Sequence, residues 1–465
     1  MIRPFLKNLS FVFGAQFLIL FISVARALIL PKFFSVEAFG YWEVYWFYTC
    51  YVGLFCLGYN DGIYLKYGEC DIDRLPIKQI RSATRLFSGM LLLFVAVAIG
   101  GINLSGFSSE VRFALVFAAL NIFVLGVMGV YIYIFQITNQ FKKYSFFSVV
   151  DKVLVLFAIG LMVLINENNF RIIVVADFVS KLIILAVIVW KTKELLFGPV
   201  TAFRESLKFM GQNMQVGIKL MVANLMSMLL IGAGKFIVQI FGNIRDFAIY
   251  SFGISITGLV LTAVTAFSLV LYPTIKRIPA ERYAEIFDKV NSFTRLFGLS
   301  SILCYFPAYL FIAYFYPKYA SVLPYLNILF LIVFLQCKIS LLDNTFYKVL
   351  RKETGMLWAN ISCVALFVVM ALVGFSLNQD MWVIAFCTFL AMLYRCYMSE
   401  FTLCRAVSMP PDGRIVFELV FMLLFLLSSS YCSLTWSAAF TAGIYCLWIV
   451  ADRCKNKSIL ALLKQ

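Results

Sequence analysis

The chain contains no histidine. That removes imidazole as a general base, a proton relay or a metal ligand. Charge is scarce as well: 13% of the 465 residues are charged, against about a quarter in soluble domains. The 12 cysteines form no CxxC pair, and most fall inside apolar runs. They read as small core hydrophobes rather than disulfides or metal ligands. Period-two alternation is missing, which argues against a β-barrel, and no polar stretch is long enough to hold a soluble domain.

What is present in abundance is apolar. Hydrophobic residues make up 63% of the chain and the mean hydropathy is +0.94. The apolar runs are about 20 residues long, enough for a helix to cross a hydrocarbon core of roughly 30 Å. The expected class is an all-α polytopic integral membrane protein with about 14 transmembrane helices, from 9–30 and 40–58 through 147–165 and 172–190 to 415–432 and 436–452. The first run follows Arg3 and Lys7, is longer than a signal-peptide core and lacks a small-residue cleavage site, so an uncleaved first helix is expected.

Lysine and arginine placement orients the spans. Alternate loops on the side of the N-terminus collect most of the 39 basic residues, including Lys66, Arg74, Lys78, Arg81 and Arg85, which predicts that both termini are cytoplasmic. The net charge of +16 is then a signal of topology and of attraction to anionic lipid, not of nucleic acid binding. The chain also echoes itself. In ARALILPKFFSVEAFGYW a cation (Arg26), an acid (Glu37) and a tyrosine (Tyr41) recur at the spacing of Lys235, Asp246 and Tyr250 in GKFIVQIFGNIRDFAIYSFG. With the polar connection 191–216 as linker, this predicts two six-helix pseudo-symmetric lobes, 1–205 and 206–403, and an additional helix pair with a cytoplasmic tail, 404–465.

Charges inside the spans carry the functional information, because each costs several kcal/mol facing lipid and therefore faces a cavity or a partner. The cations are Arg26, Lys235, Lys181, Lys338 and Arg395; the acids are Asp177, Asp343 and Glu400. Asp177 and Lys181, four apart on one helix face, either neutralise each other or serve a site, as do Arg395 and Glu400 with poorer spacing. Arg26 and Lys235 have no acid within a turn on their own helices. They either snorkel to the interface, pair with Glu37 and Asp246, or form an anion site, for which the planar arginine fork and the lysine point charge suit phosphate. Tyr41, Trp42, Tyr45, Trp46, Tyr48 and Tyr51 form either an interfacial aromatic belt or a wall for stacking sugars.

The segment LGYNDGIYLKYGE (Leu57–Glu69), following AFGYW and an aromatic helix, resembles the Wzx-type O-antigen flippases of the polysaccharide transporter family, within the group that includes lipid II flippases and MATE exporters. The resemblance covers roughly residues 20–85. It implies a MATE/lipid-flippase-like fold in the bacterial inner membrane. The implied activity is alternating-access transport of a polyprenyl-pyrophosphate-linked oligosaccharide repeat unit from the cytoplasmic to the periplasmic leaflet. It also implies no covalent catalysis, and partners such as the initiating glycosyltransferase, the O-antigen polymerase and the chain-length regulator. Arg26 resembles the first-helix arginine of lipid II flippases, whereas Lys235, Lys181, Lys338 and Arg395 are assigned to the substrate cavity by chemistry alone. Asn60 and Asp61 read as a helix cap and gate contact, or as an ordinary turn. No cofactor is expected. Coupling to H+ or Na+ would fall to Asp177, Asp343 or Glu400, the acids taken to lie within the spans. The alternatives are a MATE-like exporter of small molecules and a membrane enzyme of polysaccharide assembly. A basic interior has the wrong sign for cationic cargo; the polymerase typically carries a large periplasmic loop, and the usual membrane acyltransferase a histidine, that this chain lacks.

Overall fold

A computed structural model describes residues 2–455 apart from 69–71, 139, 277, 379 and 411. Among the described residues the chain is helical throughout, with no strand. Ten helices are long and apolar enough to cross a membrane, and three shorter apolar helices accompany them. The chain forms two compact units, 1–225 and 226–465.

The first unit contains α1 (Ile2–Phe33), α2 (Val36–Cys50), α3 (Tyr59–Tyr67), α4 (Ile77–Leu104), α5 (Ser109–Ile137), α6 (Phe141–Leu164), α7 (Phe170–Lys191), the short α8 (Lys193–Leu196) and the beginning of α9 (Phe203–Phe241). Several starts are written locally. Ser35, Ser108 and Asn169 each accept a backbone N–H at the head of α2, α5 and α7, satisfying donors that a helix leaves open. Helix α5 is the centre of this unit, packed against α2, α3, α4, α6 and α7. Its residues Ile122, Val130, Tyr131 and Ile134 are buried in one apolar core with Tyr59, Phe87 and Ile188. The large apolar residues left exposed, among them Leu93, Val97, Phe157 and Trp190, suit a hydrocarbon solvent.

Two features tie this unit to the polar segment after α7. Arg81 at the start of α4 donates to the carbonyls of Glu194 and, at 2.7 Å, Pro199, while the Thr201 amide donates to Ser82 Oγ at 2.7 Å. A basic residue counted for topology thus straps down the connection to α9. The second feature is the approach of α3 to α9. Gly58 sits at φ +77°, in the left-handed region that glycine tolerates. A Cβ on Gly62 would stand 1.9 Å from the Asn213 carbonyl oxygen, and one on Gly217 would stand 2.0 Å from the Gly58 carbonyl oxygen. Backbone meets backbone here, as small residues permit.

The second unit contains the rest of α9, then α10 (Ile244–Lys276), α11 (Tyr283–Leu303), α12 (Tyr305–Phe315), α13 (Leu323–Lys338), a π-helical turn (Ile339–Asp343), α14 (Asn344–Val349), α15 (Glu353–Leu377), α16 (Met381–Ala406), α17 (Ile415–Tyr431) and α18 (Leu434–Lys455). Helix α13 is central and almost wholly buried, packed against α10, α11, α12, α16 and α17. The acids of the sequence echo occupy the same place in both units, since Glu37 and Asp246 each lie in the first turn of the helix that follows the cation. There a negative charge complements the helix dipole.

The contact of α3 with α9 yields a direct test. Gly62→Ala has nowhere to put its methyl, because the obstacle is backbone, so it is expected to cost about 2 kcal/mol or more and to lower the thermal unfolding temperature in detergent. Gly89→Ala on α4, where a Cβ meets nothing within 4 Å, is expected to be neutral or stabilising by up to about 1 kcal/mol.

Candidate functional site

In the first unit, four helices bring ionic and aromatic side chains onto one indole, that of Trp46 on α2. The guanidinium carbon of Arg26, from α1, lies 3.7 Å from the Trp46 ring centroid. The ammonium groups of Lys152, from α6, and Lys181, from α7, lie at 6.0 and 5.9 Å from it. A cation over a tryptophan face is attracted by the ring quadrupole, by roughly 0.5–2 kcal/mol each. Three cations around one ring also repel one another, so the cluster needs opposing charge.

That charge is supplied unevenly. Asp177 takes both the Lys181 ammonium and the Tyr45 hydroxyl as donors. Tyr45 in turn accepts from Asn121 Nδ2 at 2.8 Å. These residues are buried, so the Lys181–Asp177 pair sits inside the unit. Lys152 pairs with its neighbour Asp151 at 2.7 Å but keeps 28% of its side chain exposed. Arg26 makes no ion pair within 4.0 Å among the described residues; its contacts are the faces of Trp46 and Trp42, with Glu43, Asp177 and Asp151 contributing a more distant negative field. Arg26, Trp46 and Lys152 are all partly accessible. The arrangement can do one thing well: it can present two accessible cations and an aromatic face to an anion, over a buried and rigid base.

The second unit treats its charges differently. Lys338 lies 2.7 Å from Glu400 and 2.6 Å from Glu418, all three wholly buried. Glu418 also accepts from Arg295 Nε at 2.5 Å and from the Tyr397 hydroxyl at 2.8 Å. Arg395 reaches Asp343 at 3.3 Å, Asn360 at 2.9 Å and Asn344 at 2.8 Å. Three buried cations thus meet three buried carboxylates. The π turn at Ile339–Asp343 places Lys338 and Asp343, five residues apart, both inside the unit. The network continues to the edge of the unit, where Arg295 meets Asp412, and Arg414 meets Asp412 and Asp288.

Several sequence expectations change on this evidence. Asp177 and Lys181 do pair, four apart. Arg395 pairs with Asp343 rather than Glu400, because a five-residue step points the two side chains well apart around the helix. Trp42 and Tyr45 are buried, so this part of α2 faces protein rather than a lipid interface. Asp177, Asp343 and Glu400 are not the only acids within the spans. Glu43, Asp151 and Glu418 are equally buried in α2, α6 and α17. Arg26 and Lys181 come together in the first unit; Lys235 is a buried residue of α9 in the second, and Lys338 and Arg395 are enclosed in ion pairs. Asn60 and Asp61 are buried at the start of α3, where Asn60 Nδ2 donates to the Gly126 carbonyl at 3.1 Å. Lys152 and Asp151 went unnoticed as functional residues although they interrupt the apolar run 147–165, and Arg295 because it sits at the edge of its span.

No protein-family model matches the chain, and no curated protein matches it in sequence. Solved structures do match in fold. The chain is similar to the lipid II flippase MurJ in an inward closed conformation, with a TM-score of 0.62 and 12% identity over 98% of this chain and 100% of that one. It is similar to a multidrug resistance MATE family transporter of the MOP superfamily in an inward-facing conformation, with a TM-score of 0.60 and 13% identity over 84% and 95% of the two chains. It also resembles a MOP superfamily transporter from Pyrococcus furiosus noted for the reverse polarity of its binding pocket, with a TM-score of 0.53 and 12% identity over 87% and 97%. The chain thus shares the fold of these proteins. The matches run over most or all of both chains. They relate the chain to MurJ and the MATE proteins together, without singling out the O-antigen flippases.

Outside the spans, Asp412 reports on the charge network of the second unit. Burial pushes its carboxyl up, but the hydrogen bond from Arg414 and the charge of Arg295 outweigh this and hold it at about 2. A lowered carboxylate pKa contributes stability above the unfolded value near 3.8 and loses it as the pH falls toward about 2. Discounted for the solvent exposure of the loop, Asp412→Asn is expected to cost about 1–2 kcal/mol at pH 7. The gap between variant and wild type in thermal unfolding should close between about pH 4 and pH 2. A gap that stays constant over that range would contradict the pairing.

Proposed function

We propose that the chain is a flippase for a polyprenyl-diphosphate-linked oligosaccharide, such as an O-antigen or similar polysaccharide repeat unit. It works by alternating access in a bacterial inner membrane, moving the headgroup from the cytoplasmic to the periplasmic leaflet. In this reading the chain crosses the membrane 14 times, as two six-helix lobes and a C-terminal pair with both termini cytoplasmic. The observation that carries the reading is the Trp46 cluster. Arg26 and Lys152 stand accessible over an indole, with Lys181 fixed behind them by Asp177, in a fold similar to that of a lipid II flippase.

A diphosphate offers several oxygens and a concentrated negative charge. Arg26 supplies a planar fork for two of those oxygens and Lys152 a mobile point charge. Binding relieves the mutual repulsion of the cations, while release requires only that the lobe present the site to the other face. Lys235 takes the corresponding position in the sequence echo and is assigned to the same cargo. Lys338 and Arg395, closed against Glu400, Glu418 and Asp343, would join the cavity only in a conformation that opens those pairs. The same acids, with Asp177, are where a coupled H+ or Na+ would act. A MATE-like exporter of cations shares the fold, but three cations on one ring repel cationic cargo.

The test is the leaflet of the lipid-linked oligosaccharide in cells lacking this chain, complemented with wild type, Arg26→Ala or Lys152→Ala. Complete repeat units should build up facing the cytoplasm without the chain, and each variant, present at normal level, should restore less than about a tenth of the flux, as expected when a charge-assisted contact to phosphate is removed. Normal delivery to the periplasm in the absence of the chain would end the proposal.

A further inference from the structure

The start of α3 opens a second cavity in the first unit that the diphosphate reading leaves unused. Asn60 and Asp61 line a cavity of about 400 Å³ together with Tyr133 and Gln136 of α5 and Tyr144 and Ser148 of α6. Asp61 is 8% exposed, Tyr133 lines the same cavity, and among the described residues no lysine or arginine lies within 4.0 Å of the Asp61 carboxylate. Asn60 Nδ2 donates to the Gly126 carbonyl and to Cys56 Sγ, and its Oδ1, on a residue 6% exposed, has no hydrogen-bond partner among the described residues. Asn60 Oδ1 is therefore a buried acceptor without the donor that buried acceptors ordinarily have, at a cavity it shares with a carboxylate that no cation neutralises.

A carboxylate in that position accepts a metal ion or hydroxyl donors. Size separates the two. The cavity falls within the roughly 300–1,000 Å³ of small-molecule sites and far exceeds the roughly 30 Å³ of one water, the scale of a bare cation. On a mainly apolar lining that includes Val52, Leu125, Met128 and Ile132, its walls set acceptors (Asp61, Asn60, Gln136), hydroxyls (Tyr133, Tyr144, Ser148) and the two tyrosine rings. That is the complement of a pyranose, which offers adjacent hydroxyl donors at its rim and C–H groups on its faces. Location adds a further constraint. Ser148 precedes Lys152 by one turn of α6 and Tyr144 by two, about 6 and 12 Å along the axis, and positions four apart share a helix face. The cavity thus adjoins the Trp46 cluster on the side toward the start of α6.

We propose that this cavity binds the sugar joined directly to the diphosphate, with Asp61 and Asn60 accepting from neighbouring hydroxyls of its ring and Tyr133 or Tyr144 covering a face. The inference rests on the flippase reading and deepens it: Arg26 and Lys152 hold the diphosphate common to all such lipids, and the Asp61 cavity checks that a sugar is attached.

The experiment uses the full chain in detergent and two probes, farnesyl diphosphate and the same lipid carrying one N-acetylglucosamine. Wild type should bind the glycosylated probe more tightly. Asp61→Asn, which keeps shape but removes the charged acceptor, should weaken the glycosylated probe about tenfold and leave the bare diphosphate unchanged; Ser148→Ala should do the same to a smaller degree. Lys152→Ala should weaken both. Equal effects of Asp61→Asn on the two probes, or no effect on either, would overturn the sugar site while leaving the flippase reading intact. A saturable sodium-binding signal that vanishes in Asp61→Asn would replace it with a cation site. Failure of wild type to bind either probe would remove the flippase reading and this one together.

Discussion

An ion inside a hydrocarbon layer must be paired, hydrated or absent, and helix placement in this chain follows from that constraint. Each buried lysine or arginine costs several kcal/mol without a partner, yet the chain keeps a dozen or so ionised groups within its helical units. In the second unit the constraint is met by closure. Lys338, Arg295 and Arg395 meet Glu400, Glu418 and Asp343 with no side chain exposed, and the pairs draw α11, α13, α16 and α17 together. Removing one partner from such a network leaves an uncompensated buried charge, the costly case, so the network acts as a brace whatever else it does.

The first unit meets the same constraint only in part. Asp177 pairs with Lys181 and is itself held by Tyr45, to which Asn121 donates, while Arg26 rests on indole faces and Lys152 remains partly exposed beside Asp151. Cation–π contact is a weaker compensation than an ion pair, and among the described residues it leaves the guanidinium without a carboxylate within 4.0 Å. The two halves, with an echoed sequence plan, thus differ: one is braced by closed ion pairs and the other only in part, and the proposed function places cargo recognition in the latter.

Much of this was legible in the sequence, and the physics explains what was not. Composition and run length identify a helical membrane protein because lipid admits few other solutions. The i,i+4 spacing of Asp177 and Lys181 is local and reads directly. The partners of Arg395 and Lys338 come from helices other than their own or lie tens of residues away, so spacing along one helix could offer Arg395 only Glu400, one of two readings left open, and not Asp343. Glu418 and Asp151 were visible as charges inside apolar runs but were overlooked. The aromatics of α2 looked like a lipid interface because composition does not say which helix face is turned inward; only the packing of α2 against α5 and α7 reveals that Trp42 and Tyr45 are core. The motif LGYNDG carried a signal of close packing in its glycines, which the contact of Gly58 and Gly62 with α9 makes explicit.

The most direct test of the central claim is a structure of the full chain determined with a prenyl diphosphate bound. The phosphate groups are predicted to lie within hydrogen-bonding distance of Arg26 and Lys152, beside the Trp46 ring, with the Lys181–Asp177 pair intact behind them. Phosphates seated against an opened Lys338 or Arg395 network, with the Trp46 cluster unoccupied, would contradict the account.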